Sequence, residues 1–146
     1  LGLYNRLESL IFADLFFALP FAIWILAGFF RDIPRDLDDA ASLDGCGLLR
    51  RLIMIHLPLI WPGIVATGLL IFMNCWNEFL FALTFTLSDS ARTLPVSIGL
   101  ISAPNRFELP FGIIMSASLL AIVPPVLLVL LFQHRIAAGL TAGAVK

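Results

Sequence analysis

Three apolar stretches dominate the chain, roughly Leu10–Phe30, Leu59–Phe85 and Phe111–Phe132, each 21 to 27 residues long and almost free of charge. At about 1.5 Å rise per residue, helices of this length cross a hydrocarbon core of roughly 30 Å. The alternative is a set of buried helices in a large soluble protein. Three such spans in 146 residues leave too little polar sequence to cover them. The pattern therefore predicts an all-α integral membrane chain with about three transmembrane helices. Spans at 10–30, 59–85 and 111–132 leave a polar loop at 31–58, a second connection at 86–110 and a tail at 133–146. Within the second connection, Leu94–Ile101 reads as a short helix at the membrane interface. Pro20, Pro62 and the Pro124–Pro125 pair lie inside the spans. Membrane helices tolerate them where neighbours satisfy the freed carbonyls; the pair predicts a kink.

The polar loop has its own periodicity. Asp32 reads as an N-cap with Pro34 in the first turn, where a missing N–H costs least. Asp36, Asp38 and Asp39 follow, early enough to complement the helix dipole. Ile33, Leu37, Ala40 and Leu43 or Asp44 recur at helical spacing, predicting a short amphipathic helix that Gly45 terminates in a left-handed conformation. A second short helix, about Leu48 to His56, runs to Leu57-Pro58, where the chain is expected to turn into the membrane. This is a compact helix–glycine–helix projection, with Ala40 and Ala41 permitting close approach.

Polar residues inside the spans mark the candidate chemistry. Asn74, Asn77 and Glu78 stand at i, i+3 and i+4, one face of a helical second span, which Thr67 and Phe81 extend. An ionisable group in hydrocarbon costs on the order of 2.5 kcal/mol or more, so Glu78 is expected to face a bundle interior, a partner or water. Two readings are open. This face lines a translocation path, its amides and carboxylate bonding hydroxyl groups and Trp76 or Phe81 stacking on what passes; or Glu78 is solvated near the membrane surface and Asn74 bonds across helices. Asp14, one turn inside its span, reads as a partly wet carboxylate. His56 reads as an interfacial histidine, with gating as the alternative. Trp24, Trp61 and Trp76 are candidate interface anchors, Trp61 fitting best.

Composition agrees: 60% hydrophobic residues, 13% charged and a mean hydropathy of +1.01 exclude an ordinary soluble domain. Basic residues set the orientation. Arg31, Arg35, Arg50 and Arg51 occupy the 31–58 loop, and Arg135 and Lys146 the tail, against Arg6, Arg92 and Arg106 on the other side. The bias assigns the loop and the C-terminus to the cytoplasm. The chain starts at Leu1 with neither an initiator Met nor a basic stretch before an apolar core, and is read as truncated and without a signal peptide. No G-x-x-x-x-G-K-[ST] run occurs, so no P-loop phosphate cradle is expected. No catalytic set, metal-ligand spacing, cofactor motif or nucleic-acid signature emerges, and Cys46 and Cys75 are not expected to pair.

The loop also carries a resemblance. Asp39-Ala40-Ala41, then Asp44-Gly45, then Ile55 and Leu57-Pro58, resemble the EAA signature of ABC-importer permeases: Glu-Ala-Ala, three residues, Gly, nine residues, Ile, one residue, Leu-Pro. Every spacing fits. Asp39 stands where the family usually has Glu, a carboxylate shorter by one methylene. Leu19-Pro20-Phe21-Ala22-Ile23-Trp24 is similar to the family's helix before the loop. Trp76-Asn77-Glu78-Phe79-Leu80-Phe81-Ala82-Leu83, Thr93-Leu94-Pro95-Val96 and the ending Gly139–Lys146 resemble its carbohydrate, maltose-type branch.

The resemblance implies an ABC-importer type I transmembrane domain, here its C-terminal part: the last three of about six helices and a cytoplasmic coupling helix. It implies a multi-pass location in a bacterial or archaeal cytoplasmic (inner) membrane. Implied partners are a dimer of cytosolic ATP-binding subunits gripping the loop, a second permease subunit, a periplasmic or lipoprotein solute-binding protein, and membrane lipid. ATP hydrolysis would belong to the ATP-binding subunit, so this chain is not expected to be an enzyme. Two other classes compete: a secondary transporter in which Glu78 or Asp14 carries a proton or ion, and a membrane scaffold that moves nothing. The first requires uptake driven by an ion gradient without ATP. The second requires uptake indifferent to leucine substitution across Asn74–Glu78.

Overall fold

The computed structural model describes residues 4–89, 91–101 and 110–142, with side chains as far as 133. All regular structure among them is helical: α1 Leu7–Arg31, α2 Arg35–Leu43, α3 Leu48–Arg51, a π-helical turn Leu52–His56, α4 Leu57–Trp76, α5 Leu80–Phe85, α6 Leu94–Gly99 and α7 Phe111–Ala142. Three helical runs are long and apolar enough to cross a membrane: Leu7–Arg31, Leu48–Trp76 and Phe111–Gln133. Their surfaces match that solvent. Phe16 is 75% exposed, Trp24 76% and Leu131 73%, which water would penalise and lipid or neighbouring helices would not. The pattern-based expectation of three spans therefore holds, with two local departures.

The first concerns entry into the second span. No turn occurs at Leu57-Pro58; α3, the π-turn and α4 form one continuous helical run. Pro58 has no N–H to offer the carbonyl of Met54. In the turn before it the backbone widens: the N–H of Leu57 bonds the carbonyl of Leu52, five residues back. The second concerns the exit. The apolar run to Phe85 is not one helix; α4 stops at Trp76 and a separate α5 starts at Leu80.

The chain forms two compact units, Leu1–Ala18 with Phe72–Leu130, and Leu19–Ile71 with Leu131–Lys146. In the first, Leu10, Ala82 and Val96 make a small core, with Phe81 and Phe85 packed on it. Phe17, Phe81 and Phe85 form an aromatic stack, with ring centroids 5.4 and 6.2 Å apart. Asn5 ties the start of α1 to the end of α5. Its backbone N–H donates to the Phe85 carbonyl at 2.8 Å, and its side-chain oxygen accepts from the backbone N–H groups of Leu87 and Ser88, each at 2.8 Å. The Trp76 indole donates to the Ala121 carbonyl at 3.1 Å, joining the end of α4 to α7. The Trp76 indole thus makes a helix–helix contact. The short helix expected at Leu94–Ile101 is present as α6, Leu94–Gly99.

In the second unit, Gly63 of α4 lies against the ring of Phe29 in α1, a close approach that only a residue without a side chain permits. Beyond it the chain leaves α1 through Asp32–Pro34 and enters α2. Pro34, not Asp32, is the N-cap, and no side chain caps this end. Asp32 is spent differently: its N–H bonds the Gly28 carbonyl, extending the last turn of α1.

Candidate functional site

The polar hairpin of α2, α3 and the π-turn carries the first candidate site. Gly45 adopts φ +72, the left-handed conformation expected of it. Around it the helix end is fully closed. The N–H of Cys46 bonds the Ala41 carbonyl at 2.9 Å, and the N–H of Gly45 bonds the Ser42 carbonyl at 3.1 Å. These are the two bonds of a Schellman motif, and they aim the chain back towards α3.

The signature residues take distinct places on this hairpin. Ala41 is 5% exposed and forms the buried point of α2, while Asp39, Ala40, Asp44 and Gly45 face outward. Ile55 is half-buried in the π-turn, and Leu57 and Pro58 open α4. Leu43 is 90% exposed, and Leu48 and Leu49 across the glycine turn are 78% and 70% exposed. The face of α2 turned towards α3 and the π-turn carries polar side chains. Asp38 Oδ1 lies 2.7 Å from His56 Nε2, and Arg51 donates to Ser42 Oγ at 2.8 Å and to the Asp38 carbonyl at 3.4 Å. The Ser42 hydroxyl donates to that same carbonyl at 2.7 Å. Phe30 sets its edge against the His56 ring, centroids 6.3 Å apart. A cleft of about 390 Å³ opens beside the pair, lined by Phe30, Arg31, Ile33, Arg35, Asp38 and His56.

Sequence reasoning left Asp38, Ser42 and Arg51 out of the candidate set and read His56 as a simple interfacial residue. The available signal was an acid and a hydroxyl at i, i+4 facing a cation and a histidine five residues apart. That spacing points to opposite sides of an α-helix, about 140° apart at 3.6 residues per turn. A π-turn, whose bonds link i to i+5, brings such residues towards one face.

The second candidate set, Asn74, Asn77, Glu78 and Phe81, does not share one helix face, because the helix breaks through it. Asn77 donates from its side chain to the Met73 carbonyl at 2.7 Å, competing with the backbone ladder. Glu78 turns forward: its carboxylate accepts from the N–H of Phe81 at 2.6 Å and of Ala82 at 2.9 Å, capping the free N-terminus of α5. Phe81 sits within the aromatic stack, and Asn74 is exposed on the last turn of α4. Thr67, expected to extend the face, is buried, with its hydroxyl donating to the Gly63 carbonyl. Asp14 stands two turns into α1, which starts at Leu7, and lies within electrostatic range of Glu78. The polar doublet Asn77-Glu78 was the readable sign of a break.

The chain is 44% identical over its whole length to the trehalose/maltose transport system permease protein MalG of Thermococcus litoralis, covering 52% of that protein. It is 41% identical, again over all its residues, to the trehalose transport system permease protein SugB of Mycobacterium tuberculosis and to the sulfoquinovosyl glycerol transport system permease protein SmoH of Agrobacterium fabrum. It covers 53% and 50% of those two. The chain thus spans about half the length of the curated relatives it matches. The profile of one family, described as binding-protein-dependent transport system inner membrane component, matches residues 3–142. With its membrane-crossing helices and the intervening hairpin, the chain belongs to that family and has the fold of an ABC-importer type I transmembrane domain.

Proposed function

We propose that this chain is part of the permease subunit of an ATP-driven importer for a sugar or related carbohydrate. The hairpin works as the coupling element and lies, with the C-terminus, on the cytoplasmic side. A cytosolic ATP-binding subunit grips α2, and its closure on ATP swings the membrane helices. Hydrolysis takes place in that partner, and a second permease subunit and a solute-binding protein complete the assembly.

The observation that carries this reading is the hairpin itself. Asp39-Ala40-Ala41, Gly45 and Leu57-Pro58 keep the spacing of the family's signature. Leu43, Leu48 and Leu49 bracket the glycine turn with apolar surface that water alone does not favour. Such a knob, with Asp39, Asp44 and Arg50 also exposed on the hairpin, suits insertion into a protein groove. The carbohydrate assignment leans on the names of the relatives, which transport trehalose, maltose or sulfoquinovosyl glycerol. Basic residues of the hairpin support the cytoplasmic placement.

Within the membrane, the helix break at Asn77–Phe79 lies beside the path. Irregular backbone at that depth is tolerated where it is buried in protein or lines a wet cavity. Asn77 and Glu78 shape the break through their backbone bonds, while Asn74 and the Phe81 stack are available to cargo hydroxyls and sugar faces.

Gly45→Trp in the full-length permease tests the proposal. Any other residue at φ +72 is strained by about 1–2 kcal/mol, and an indole enlarges the tip of the knob. Co-purification with the ATP-binding subunit and ATP-dependent sugar uptake should both be lost. Unimpaired assembly and uptake would refute the coupling role. Labelling of a cysteine at Ala41 or Gly45 from the outside of intact cells would refute the orientation.

A further inference from the structure

The contacts between α2 and the foot of the second span go beyond what coupling by a loop requires. We infer that Asp38, Ser42, Arg51 and His56 form a side-chain latch that makes α2 one rigid lever with α4, and that they are positioning residues for transport. The inference rests on the coupling reading above.

Along the chain, α2 is joined to its neighbours only through short connections: the non-helical Asp32–Pro34 on one side and, on the other, Asp44–Gly47, whose backbone bonds set its direction. Without side-chain contacts, a force on the exposed knob would reach the span through these two connections alone. Four hydrogen bonds supplement them: Asp38 with His56, Arg51 with Ser42, Arg51 with the Asp38 carbonyl, and Ser42 with that same carbonyl. The first three cross from α2 to the helical run that becomes the span; the fourth stiffens α2 at the attachment point.

The π-turn suits this task. It lies between Arg51 and His56 and brings two residues five apart towards one face, where both meet α2. Phe30, one residue before the end of α1, sets its edge on the His56 ring, so the latch also touches the first span. One hydrogen-bonded node therefore connects the lever to the ends of two membrane helices.

The expected size follows from population arithmetic. A partly exposed hydrogen bond involving a charged group contributes about tenfold to an equilibrium, and so does the Arg51–Ser42 contact. If the closed latch is favoured about ten to one, His56→Ala leaves open and closed forms equal, and sugar transported per ATP hydrolysed falls about twofold. The double variant His56→Ala/Arg51→Ala leaves about one molecule in ten closed, and the ratio falls about tenfold.

The experiment uses the full-length permease assembled with its ATP-binding, second permease and solute-binding partners in proteoliposomes. Uptake and ATP hydrolysis are measured on the same vesicles, and assembly is measured by co-purification. A graded loss of transport per ATP, reversed towards wild type in the exchanged pair Asp38→His/His56→Asp, supports the latch. If the single variant fails to assemble but the exchanged pair assembles, the latch is again supported. Assembly with an unchanged transport-to-hydrolysis ratio in the double variant overturns it while leaving the coupling hairpin intact. Loss of assembly in both the single variant and the exchanged pair also overturns it. Failure of the coupling reading is distinguishable, because the unmodified permease would then not co-purify with the ATP-binding subunit.

Discussion

Replacing Gly63 with alanine puts a methyl carbon into the ring of Phe29. A Cβ built on Gly63 stands 2.6 Å from Phe29 Cδ2 and Cγ and 2.7 Å from Cδ1. Carbon atoms pack without strain at about 3.5–4.0 Å, so nearly 1 Å must be found. The colliding atoms lie at the root of the ring rather than its tip. Cγ is fixed to the Phe29 Cβ, so the clash yields only to a different χ1 rotamer or to separation of α1 from α4. Overpacking of this kind costs about 1–3 kcal/mol, a factor of roughly 5 to 150 in the folded population. Thermal inactivation of the purified full-length permease complex in detergent measures it, and Gly63→Ala should lower the midpoint clearly.

The second site sharpens the test. Phe29→Leu keeps a Cγ at the colliding position and should not rescue Gly63→Ala. Phe29→Ala removes that atom and should, giving a coupling of at least about 0.5 kcal/mol in the double-mutant cycle. Wild-type stability of Gly63→Ala would refute the packing argument, as would equal rescue by leucine and alanine.

Two further outcomes follow from the other unit. Glu78→Ala removes the cap of α5 at a cost of about 1–2 kcal/mol and should speed amide exchange at Phe81 and Ala82 about tenfold or more. Glu78→Gln keeps one acceptor oxygen and should have the smaller effect, and unchanged exchange in Glu78→Ala would sink the capping role. Asn5 accepts three hydrogen bonds from Leu87 and Ser88 while its own backbone sits at φ +61. Asn5→Ala loses the acceptor and adds left-handed strain, together about 2–4 kcal/mol, read as faster proteolysis in the 86–89 segment. Asn5→Asp keeps both properties and should cleave at the wild-type rate.

Much of this architecture is legible one residue type at a time. Apolar length gives the three spans, because the choice between water and lipid depends on how many consecutive residues lack charge. Gly45 announces its own left-handed turn, since the cost of positive φ is local to each residue. The signature from Asp39 to Pro58 is legible for the same reason: it is a matter of spacing along the chain.

The departures share a different cause. Asp32 was a plausible cap by identity, yet its backbone continues α1 and Pro34 takes the N-cap position. The apolar repeat of α2 predicts a helix but not its partners; Asp38 and Ser42 meet the next helical run through bonds to residues 9 to 18 positions away. Asn77 and Glu78 lie in an apolar run that reads as one helix, and at the break the Glu78 carboxylate takes the next turn's N–H groups. Solvent, span count and the glycine turn follow from the order of the residues, since each depends on a local sum. The latch, the helix break and the Gly63–Phe29 contact depend on which groups meet after folding. Directional bonds and close packing act over a few ångströms in space, whatever the distance along the chain.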